Sequence, residues 1–229
     1  VKKIGLSIGK NENRGMAMYI VGLTGGIACG KSTVSQWLRE KYNVCILDAD
    51  TIAGEMSAPG KSLWQSYVNR YGPKRALLPD GQLNRAAIGR IVFADPNERA
   101  WMNRMAHPLV RAETLRRLQV LREQENTTVV LDVPLFFEAG WEDMADEVWV
   151  VYADEATQLQ RLKERSHLSE ELARQRIAAQ MPLEEKRRRA NVVIDNTGDL
   201  ERTQAQVTAA WHALLKLRGK QGGNEVAQA

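Results

Sequence analysis

The ten residues TGGIACGKST (24–33) contain two glycines separated by four positions, followed at once by a lysine and a serine. This Gly25-x-x-x-x-Gly30-Lys31-Ser32 spacing is that of a phosphate-binding P-loop. Glycines let the backbone approach an anion closely, and the N–H groups at the start of the following helix attract it. Lys31 supplies a compact positive charge for the β- and γ-phosphates, and Ser32 offers a hydroxyl to Mg²⁺. We predict that the nucleotide contacts are Gly26, Ile27, Ala28, Cys29, Gly30, Lys31, Ser32 and Thr33.

Two carboxylates follow the next apolar run of the sequence, VCIL, at Asp48 and Asp50. Ligands of an open α/β sheet bind beyond the carboxyl ends of its strands, so both side chains are expected near the P-loop. Asp50 then either accepts the proton of an attacking hydroxyl, holds Mg²⁺ through water, or caps a helix beginning at residue 51.

Other ionisable residues have weaker patterns, each with an ordinary structural alternative. Asp132 ends a hydrophobic strand, as the second metal-side acid of P-loop proteins does, but many strands end in aspartate. Glu138 faces either substrate or solvent. His107 precedes a proline and is either a ligand or a helix-end or packing residue. Arg111 either binds phosphate or pairs with a nearby acid such as Glu113.

Four arginines lie in a strongly charged region near the middle of the second half of the chain, at 161, 165, 174 and 176. The planar guanidinium suits bidentate phosphate contacts and stacking on adenine. We expect one or two of them to touch ATP and the rest to be solvated. Cys29 within the P-loop is either an oxidation-sensitive thiol or a small loop residue, and the second interpretation is favoured.

The elements that position these residues follow from the hydrophobic pattern. Strands are predicted at 19–24, 44–48, 128–133, 147–152 and 192–195, and most are continuous apolar runs typical of a parallel sheet covered on both faces. Helices are predicted at 31–41, 97–106, 108–125, 154–166, 169–180 and 199–217. This alternation predicts a three-layer α/β P-loop NTPase core with right-handed crossovers.

Two segments interrupt the alternation and suggest a division into parts. Residues 51–107 lack a good strand and are interpreted as a helical substrate-binding insert, and residues 163–190 as a helical lid. The nucleotide-binding core then comprises 18–50, 108–162 and 191–217. Residues 1–17 are predicted to be a flexible extension and residues 218–229 a disordered tail.

Composition limits the class of protein without choosing a function. The 229 residues have a formal net charge of +4 and contain two cysteines, Cys29 and Cys45, too few for a disulfide framework and typical of a reducing cytoplasm. No run approaches the ~20 apolar residues of a membrane span, and no secretion signal is expected. The basic runs RLKER (161–165) and EKRRRA (185–190) contain or adjoin acids, so a solvated helix face is their default interpretation.

Taken together, several motifs resemble those of the dephospho-coenzyme A kinase family from about Tyr19 to Leu214. In chain order they are VGLTGGIACGKST, LDADTIA, PDGQLNRAAIGRIVFADP, HPLV, LDVPLFFEAG, VVYADEATQLQRLKER and RIAAQMPLEEKRRRANVVIDN. The P-loop alone would be generic, whereas the other motifs in this order are much more specific.

The resemblance implies a five-stranded parallel core, a coenzyme-binding helical insert and a lid. It implies transfer of the γ-phosphoryl group of ATP, with Mg²⁺, to the ribose 3′-hydroxyl of dephospho-coenzyme A. Asp50 matches the catalytic acid, Lys31 belongs to the ATP loop, Arg161 and Arg165 match lid-side positions, and Asn196 lies near the expected adenine. The residues assigned to the acceptor substrate are Asp48, Arg85, His107, Arg111 and Glu138.

Three alternative functions remain. A GTP-dependent switch would need a guanine-reading Asn/Thr-Lys-x-Asp element, and the sequence has none. Another small-molecule kinase would share the P-loop, acid and lid, so that only the 51–107 insert distinguishes it. A nucleic-acid-binding ATPase is suggested by the basic charge alone. The expected partner is therefore a small-molecule substrate, with no nucleic acid or membrane, and the expected assembly is a monomer or small homo-oligomer.

Overall fold

The computed structural model describes residues 17–124, 127–166 and 168–226, with side chains described as far as residue 219. Most of the predicted N-terminal extension therefore lies outside the described residues. Within these ranges, five parallel strands form one sheet in the order β2-β3-β1-β4-β5. Their bounds are β1 Tyr19–Gly25, β2 Cys45–Asp48, β3 Thr128–Asp132, β4 Glu147–Tyr152 and β5 Val192–Asp195. The predicted fold class is confirmed, and each strand bound lies within one residue of its prediction.

The apolar strands are buried on both faces, which is why their sequences do not alternate. Along β1, Ile20 packs into one hydrophobic cluster, whereas Val21 and Leu23 pack into the other. Along β4, Val150 belongs to the first cluster and Trp149 to the second. Because successive side chains of a strand point to opposite faces, helices must cover both sides of the sheet.

Ten α-helices lie between and after the strands in the part of the chain that the structure describes. They are α1 Lys31–Tyr42, α2 Ala49–Met56, α3 Ser62–Tyr71, α4 Pro73–Ala76, α5 Arg85–Ala94, α6 Pro96–Glu123, α7 Glu155–Ser166, α8 Glu170–Ala178, α9 Leu183–Arg189 and α10 Leu200–Val226. Helices α2 to α5 and the first part of α6 occupy the segment predicted as an insert. They have a small core of their own around Leu83, Ile88 and Val92. Among the described residues, no helix is both long enough and apolar enough to cross a bilayer.

The predicted break at His107-Pro108 is wrong, because α6 runs through Pro108 without ending. A proline inside a helix costs about 3 kcal/mol, since it removes one hydrogen bond and crowds the preceding turn. The turns that follow it bury Val110 and Leu118. Burial of such side chains is worth about 1.5–3 kcal/mol each, which offsets the local cost.

The predicted end of the last helix at residue 217 is also wrong. Helix α10 continues to Val226, through most of the segment predicted as a disordered tail. Arg218 is buried, donates a hydrogen bond of 2.8 Å to the Ala17 carbonyl and lies 5.3 Å above the Tyr19 ring. Arginine packs through its stem and planar head, so a count of apolar residues does not register this contact.

Candidate active site

The P-loop turns between the end of β1 and the start of α1. Gly30, immediately before α1, has φ +87°, and a Cβ atom there would lie 2.0 Å from Asn196 Nδ2. At Gly25, a Cβ atom would lie 2.6 Å from the Val151 carbonyl oxygen of β4. Gly30 thus supplies a left-handed conformation, whereas Gly25 allows close backbone packing.

Polar side chains from distant parts of the chain hold this loop. Gln180 accepts a hydrogen bond of 2.9 Å from the Ile27 N–H, and Gln158 donates one of 2.7 Å to the Ile27 carbonyl. Asn196 Nδ2 donates one of 2.7 Å to the Cys29 carbonyl. These contacts fix the loop before any nucleotide binds, which lowers the ordering cost of binding.

A cleft of about 770 Å³ opens above the loop, and most of the predicted nucleotide contacts line it. The sequence-predicted residues in its wall are Gly26, Ile27, Ala28, Gly30, Lys31, Ser32, Thr33, Asp50, Arg161, Arg165 and Asn196. Lys31 and Asp50, predicted from separate motifs, therefore face the same space. Gln180 also lines the cleft and was not predicted.

Lys31 forms an ion pair with Asp132 at the end of β3. The strand register places Asp132 beside Leu23 of β1 and Asp48 of β2, so three strand ends meet here. Burial raises the pKa of the Asp132 carboxyl, while the Lys31 ammonium opposes this shift. The lysine is thus held at the loop by a buried acid.

The two aspartates after β2 have different tasks. Asp48 caps α2, because its carboxylate accepts hydrogen bonds from the Asp50 N–H at 2.8 Å and the Thr51 N–H at 3.0 Å. The alternative in which Asp50 is the cap is wrong, since Asp50 already lies inside the helix and faces the cleft. Burial raises the pKa of Asp50, the nearby Asp48 charge raises it further, and Lys31 lowers it.

A loop lysine beside an acid-bearing strand end is common to many kinases, and comparison with known proteins decides among them. The family model for dephospho-CoA kinase matches residues 19–202. The dephospho-CoA kinase of Symbiobacterium thermophilum is 51% identical over 210 residues, which cover 92% of this chain and 86% of that protein. This chain belongs to the dephospho-CoA kinase family. Members of the family are kinases that catalyse the final step of coenzyme A biosynthesis.

Solved structures agree with this membership. The crystal structure of TT1252 from Thermus thermophilus superposes with a TM-score of 0.71 at 36% identity, covering 86% of this chain and 98% of that one. The dephospho-CoA kinase of Campylobacter jejuni has a TM-score of 0.65 at 27% identity, with coverage of 86% and 97%.

The residues that the family resemblance assigned to the acceptor substrate do not line the cleft of this dephospho-CoA kinase family member. Arg111 pairs with Asp143 at 2.7 Å, and Glu138 pairs with Lys186 at 2.8 Å. His107 is half-buried on α6, where burial lowers its pKa. Arg85 is exposed at the start of α5, and Asp48 is the α2 cap described above. Their assignment to substrate stays a prediction.

Cys29 is completely buried, and its pKa is raised to about 11 by that burial. Its thiol therefore faces the interior, in agreement with the interpretation of a small loop residue.

A Cys45→Ala variant, which retains only the Cys29 thiol, is expected to react negligibly with a thiol-specific disulfide reagent at pH 8 when folded and fully in guanidinium. Rapid reaction of the folded protein would show instead that Cys29 is an accessible thiol.

Several residues that support this dephospho-CoA kinase fold were not found by sequence reasoning. The side chains of Gln158, Lys186 and Thr203 are polar but buried, and Asn196 accepts a hydrogen bond of 2.8 Å from the Thr203 hydroxyl. Both ends of the Asn196 amide are therefore engaged within the protein. This arrangement gives Asn196 a role in holding the loop, in addition to its place in the cleft wall. Gln158 and Lys186 lie in quoted motifs, whereas Thr203 does not.

Proposed function

We propose that this cleft binds ATP and transfers its γ-phosphoryl group to the ribose 3′-hydroxyl of dephospho-coenzyme A, releasing ADP and coenzyme A. The observation that carries the proposal is the presence of the P-loop lysine and the Asp50 carboxylate in one cleft. The family membership supplies the acceptor, and the geometry supplies the assignment of roles.

The P-loop backbone and Lys31 bind the β- and γ-phosphates. Lys31 then exchanges its contact with Asp132 for contacts with phosphate oxygens, and the loop glycines allow the backbone to approach the anion. In phosphoryl transfer the protein takes little part in the covalent chemistry, so positioning and charge stabilisation supply most of the rate enhancement.

Asp50 accepts the proton of the attacking 3′-hydroxyl. Its carboxylate faces the cleft, and its pKa is raised by partial desolvation there and by the Asp48 charge, which makes it a better base than a fully solvated aspartate. Arg165 binds the transferring phosphoryl group, a role supported by its exposed position in the cleft wall. Arg161, which lies on α7 with Arg165, donates a hydrogen bond of 2.8 Å to the Asn196 carbonyl and supports the loop.

The donor set of the cleft fits Mg²⁺. The Ser32 hydroxyl and the Asp50 carboxylate line the same space, and within the described residues no cluster of three acidic, histidine or cysteine side chains forms a dedicated metal cage. Mg²⁺ typically uses one or two protein oxygens and completes its shell with phosphates and water. Bound there, it would neutralise phosphate charge, with Ser32 holding it directly and Asp50 through water.

The pH dependence of turnover should show the titration of Asp50. Only the ionised carboxylate accepts a proton, so kcat/KM is expected to rise with pH through the pKa of Asp50 in the folded protein. Because that pKa is raised, the acidic limb lies above the pH at which an ordinary aspartate ionises. Steady-state assays from pH 4 to 8 test this, and a kcat/KM that stays constant down to pH 4 would contradict the assignment.

The acceptor is tested by a panel of hydroxyl compounds. The purified protein should phosphorylate dephospho-coenzyme A at the ribose 3′ position, detected by phosphorus NMR, and should leave nucleosides and shikimate unmodified. Equal or faster reaction with a nucleoside would favour another small-molecule kinase.

Several expectations from the sequence stay predictions. They are a cytoplasmic location, the absence of nucleic-acid or membrane partners, a monomeric or small homo-oligomeric state, and the division into core, insert and lid.

A further inference from the structure

Helix α9 carries a run of basic residues, and one of them is buried. Lys186 has a side-chain exposure of 0%, whereas Arg188 on the same helix is 78% exposed. The interpretation of this basic run as a solvated helix face is therefore wrong at Lys186. A buried ammonium needs a partner for each of its N–H groups, because an unpaired one loses the hydration it had in water.

The Lys186 ammonium has three acceptors. It donates to the Gly25 carbonyl at 3.2 Å and to the Pro134 carbonyl at 3.2 Å, and it pairs with a carboxylate oxygen of Glu138 at 2.8 Å. Three donors and three acceptors account for the whole group. Lys186 therefore joins α9 to two separate segments of the sheet's carboxyl edge.

Both carbonyls belong to the wall of the nucleotide cleft. Gly25 ends β1 and begins the P-loop, Pro134 follows β3, and both residues line the cleft. The Pro134 carbonyl also accepts a hydrogen bond of 3.1 Å from the Thr24 hydroxyl. Two carbonyl oxygens bring partial negative charge to a site that binds a polyanion, and a buried cation compensates that charge.

The segment before Lys186 holds the same loop from a second direction. The Gln180 side chain accepts a hydrogen bond of 2.9 Å from the Ile27 N–H, and Glu138 accepts one of 3.0 Å from the Met181 N–H. The stretch 180–186 therefore fixes the Gly25 carbonyl and the Ile27 amide together. Between these two points lies Gly26, within the loop that must accommodate phosphate.

We infer that Lys186, with Glu138 as its counter-ion, is a positioning residue for the P-loop. It fixes the Gly25 and Pro134 carbonyls and adds positive charge below the phosphate site, so that ATP binds to a loop that is already ordered. The inference rests on the proposed function, because it presupposes that this cleft binds ATP. It also gives Glu138 a role in the protein's interior instead of a contact with substrate.

A purely structural role would give a different pattern of effects. Replacing a buried ion pair by neutral residues of similar volume is often harmless to stability, whereas removing one partner leaves the other charge uncompensated. A neutral pair should thus restore stability. It should not restore the hydrogen bonds to the Gly25 and Pro134 carbonyls or the positive charge, so the effects on stability and on ATP affinity can be measured separately.

The test compares Lys186→Met, the double variant Lys186→Met with Glu138→Gln, and Arg188→Met as a control on the exposed face of α9. Affinities for ATP and for dephospho-coenzyme A are measured separately by calorimetry, and folding is followed by urea denaturation. Lys186→Met should bind ATP about 10- to 100-fold more weakly, as expected for a lost charged donor, with affinity for dephospho-coenzyme A unchanged within about twofold. The double variant should regain the urea midpoint of the native protein without regaining ATP affinity.

Native ATP affinity in either folded Lys186 variant would overturn the inference, as would equal losses of affinity for both substrates. If Lys186→Met does not fold, the double variant decides between these outcomes. The native protein is measured first, because its failure to bind ATP would refute the proposed function itself and the positioning role with it. Arg188→Met should match the native protein in all three measurements, and an ATP defect there as large as that of Lys186→Met would also overturn the inference.

Discussion

Replacement of Asp50 by asparagine is expected to lower kcat by about 10³-fold while leaving the dissociation constant for ATP within about twofold of the native value. Asparagine has nearly the same shape but cannot accept a proton, so the loss falls on the chemical step. ATP affinity measured without Mg²⁺ depends on the P-loop and Lys31, which the substitution leaves in place. Single-turnover phosphorylation and ATP calorimetry measure the two quantities separately.

Asp48→Asn provides the matched control for this experiment. Asparagine caps helices about as well as aspartate, so the start of α2 should be preserved. Because the Asp48 charge raises the pKa of Asp50, its removal should shift the acidic limb of kcat/KM to lower pH with little change in the plateau. Equal losses of turnover and ATP affinity in Asp50→Asn would contradict the role of Asp50 as a base.

Replacement of Gly30 by alanine is expected to weaken ATP binding by at least about 100-fold. The backbone at Gly30 has φ +87°, which costs an L-residue about 1–2 kcal/mol, and the added methyl carbon would lie 2.0 Å from the Asn196 amide nitrogen. Displacing that amide also breaks its hydrogen bond to the Cys29 carbonyl. The loop would therefore lose both its conformation and one of its supports.

Gly54→Ala is the control for the glycine substitution. Gly54 lies within α2 and a Cβ atom there would meet nothing within 4 Å, so alanine should stabilise the helix by about 0.5–1 kcal/mol. ATP calorimetry and urea denaturation should show native affinity in Gly54→Ala and a clear loss in folded Gly30→Ala. Native ATP affinity in Gly30→Ala would refute the requirement for glycine at the loop's last position.

The parts of the structure that were predicted correctly are those with a local signal. The strands were found because continuous apolar runs are unusual outside a doubly covered sheet. The P-loop was found because its glycines, lysine and serine have a fixed spacing. The placement of Asp50 beside Lys31 followed from a general rule, since strand ends of a parallel sheet share one edge.

The parts that were missed depend on tertiary contacts. Nothing local distinguishes Lys186 from its arginine neighbours, because its burial is decided by carbonyls about 50 and 160 residues earlier in the chain. The roles of Asp48 and Asp50 depend on which of them begins the helix, a difference of two positions. The continuity of α6 through Pro108 depends on packing of the later turns, which a propensity argument does not include.

The strand order has a consequence for how the polypeptide emerges from the ribosome. The earliest strand of the described residues, Tyr19–Gly25, lies in the centre of the sheet between strands that begin at Thr128 and Glu147. About a hundred residues must therefore be translated before either of its edges finds a partner. Until then an apolar strand has unpaired amides on both sides, which exposes the nascent chain to aggregation.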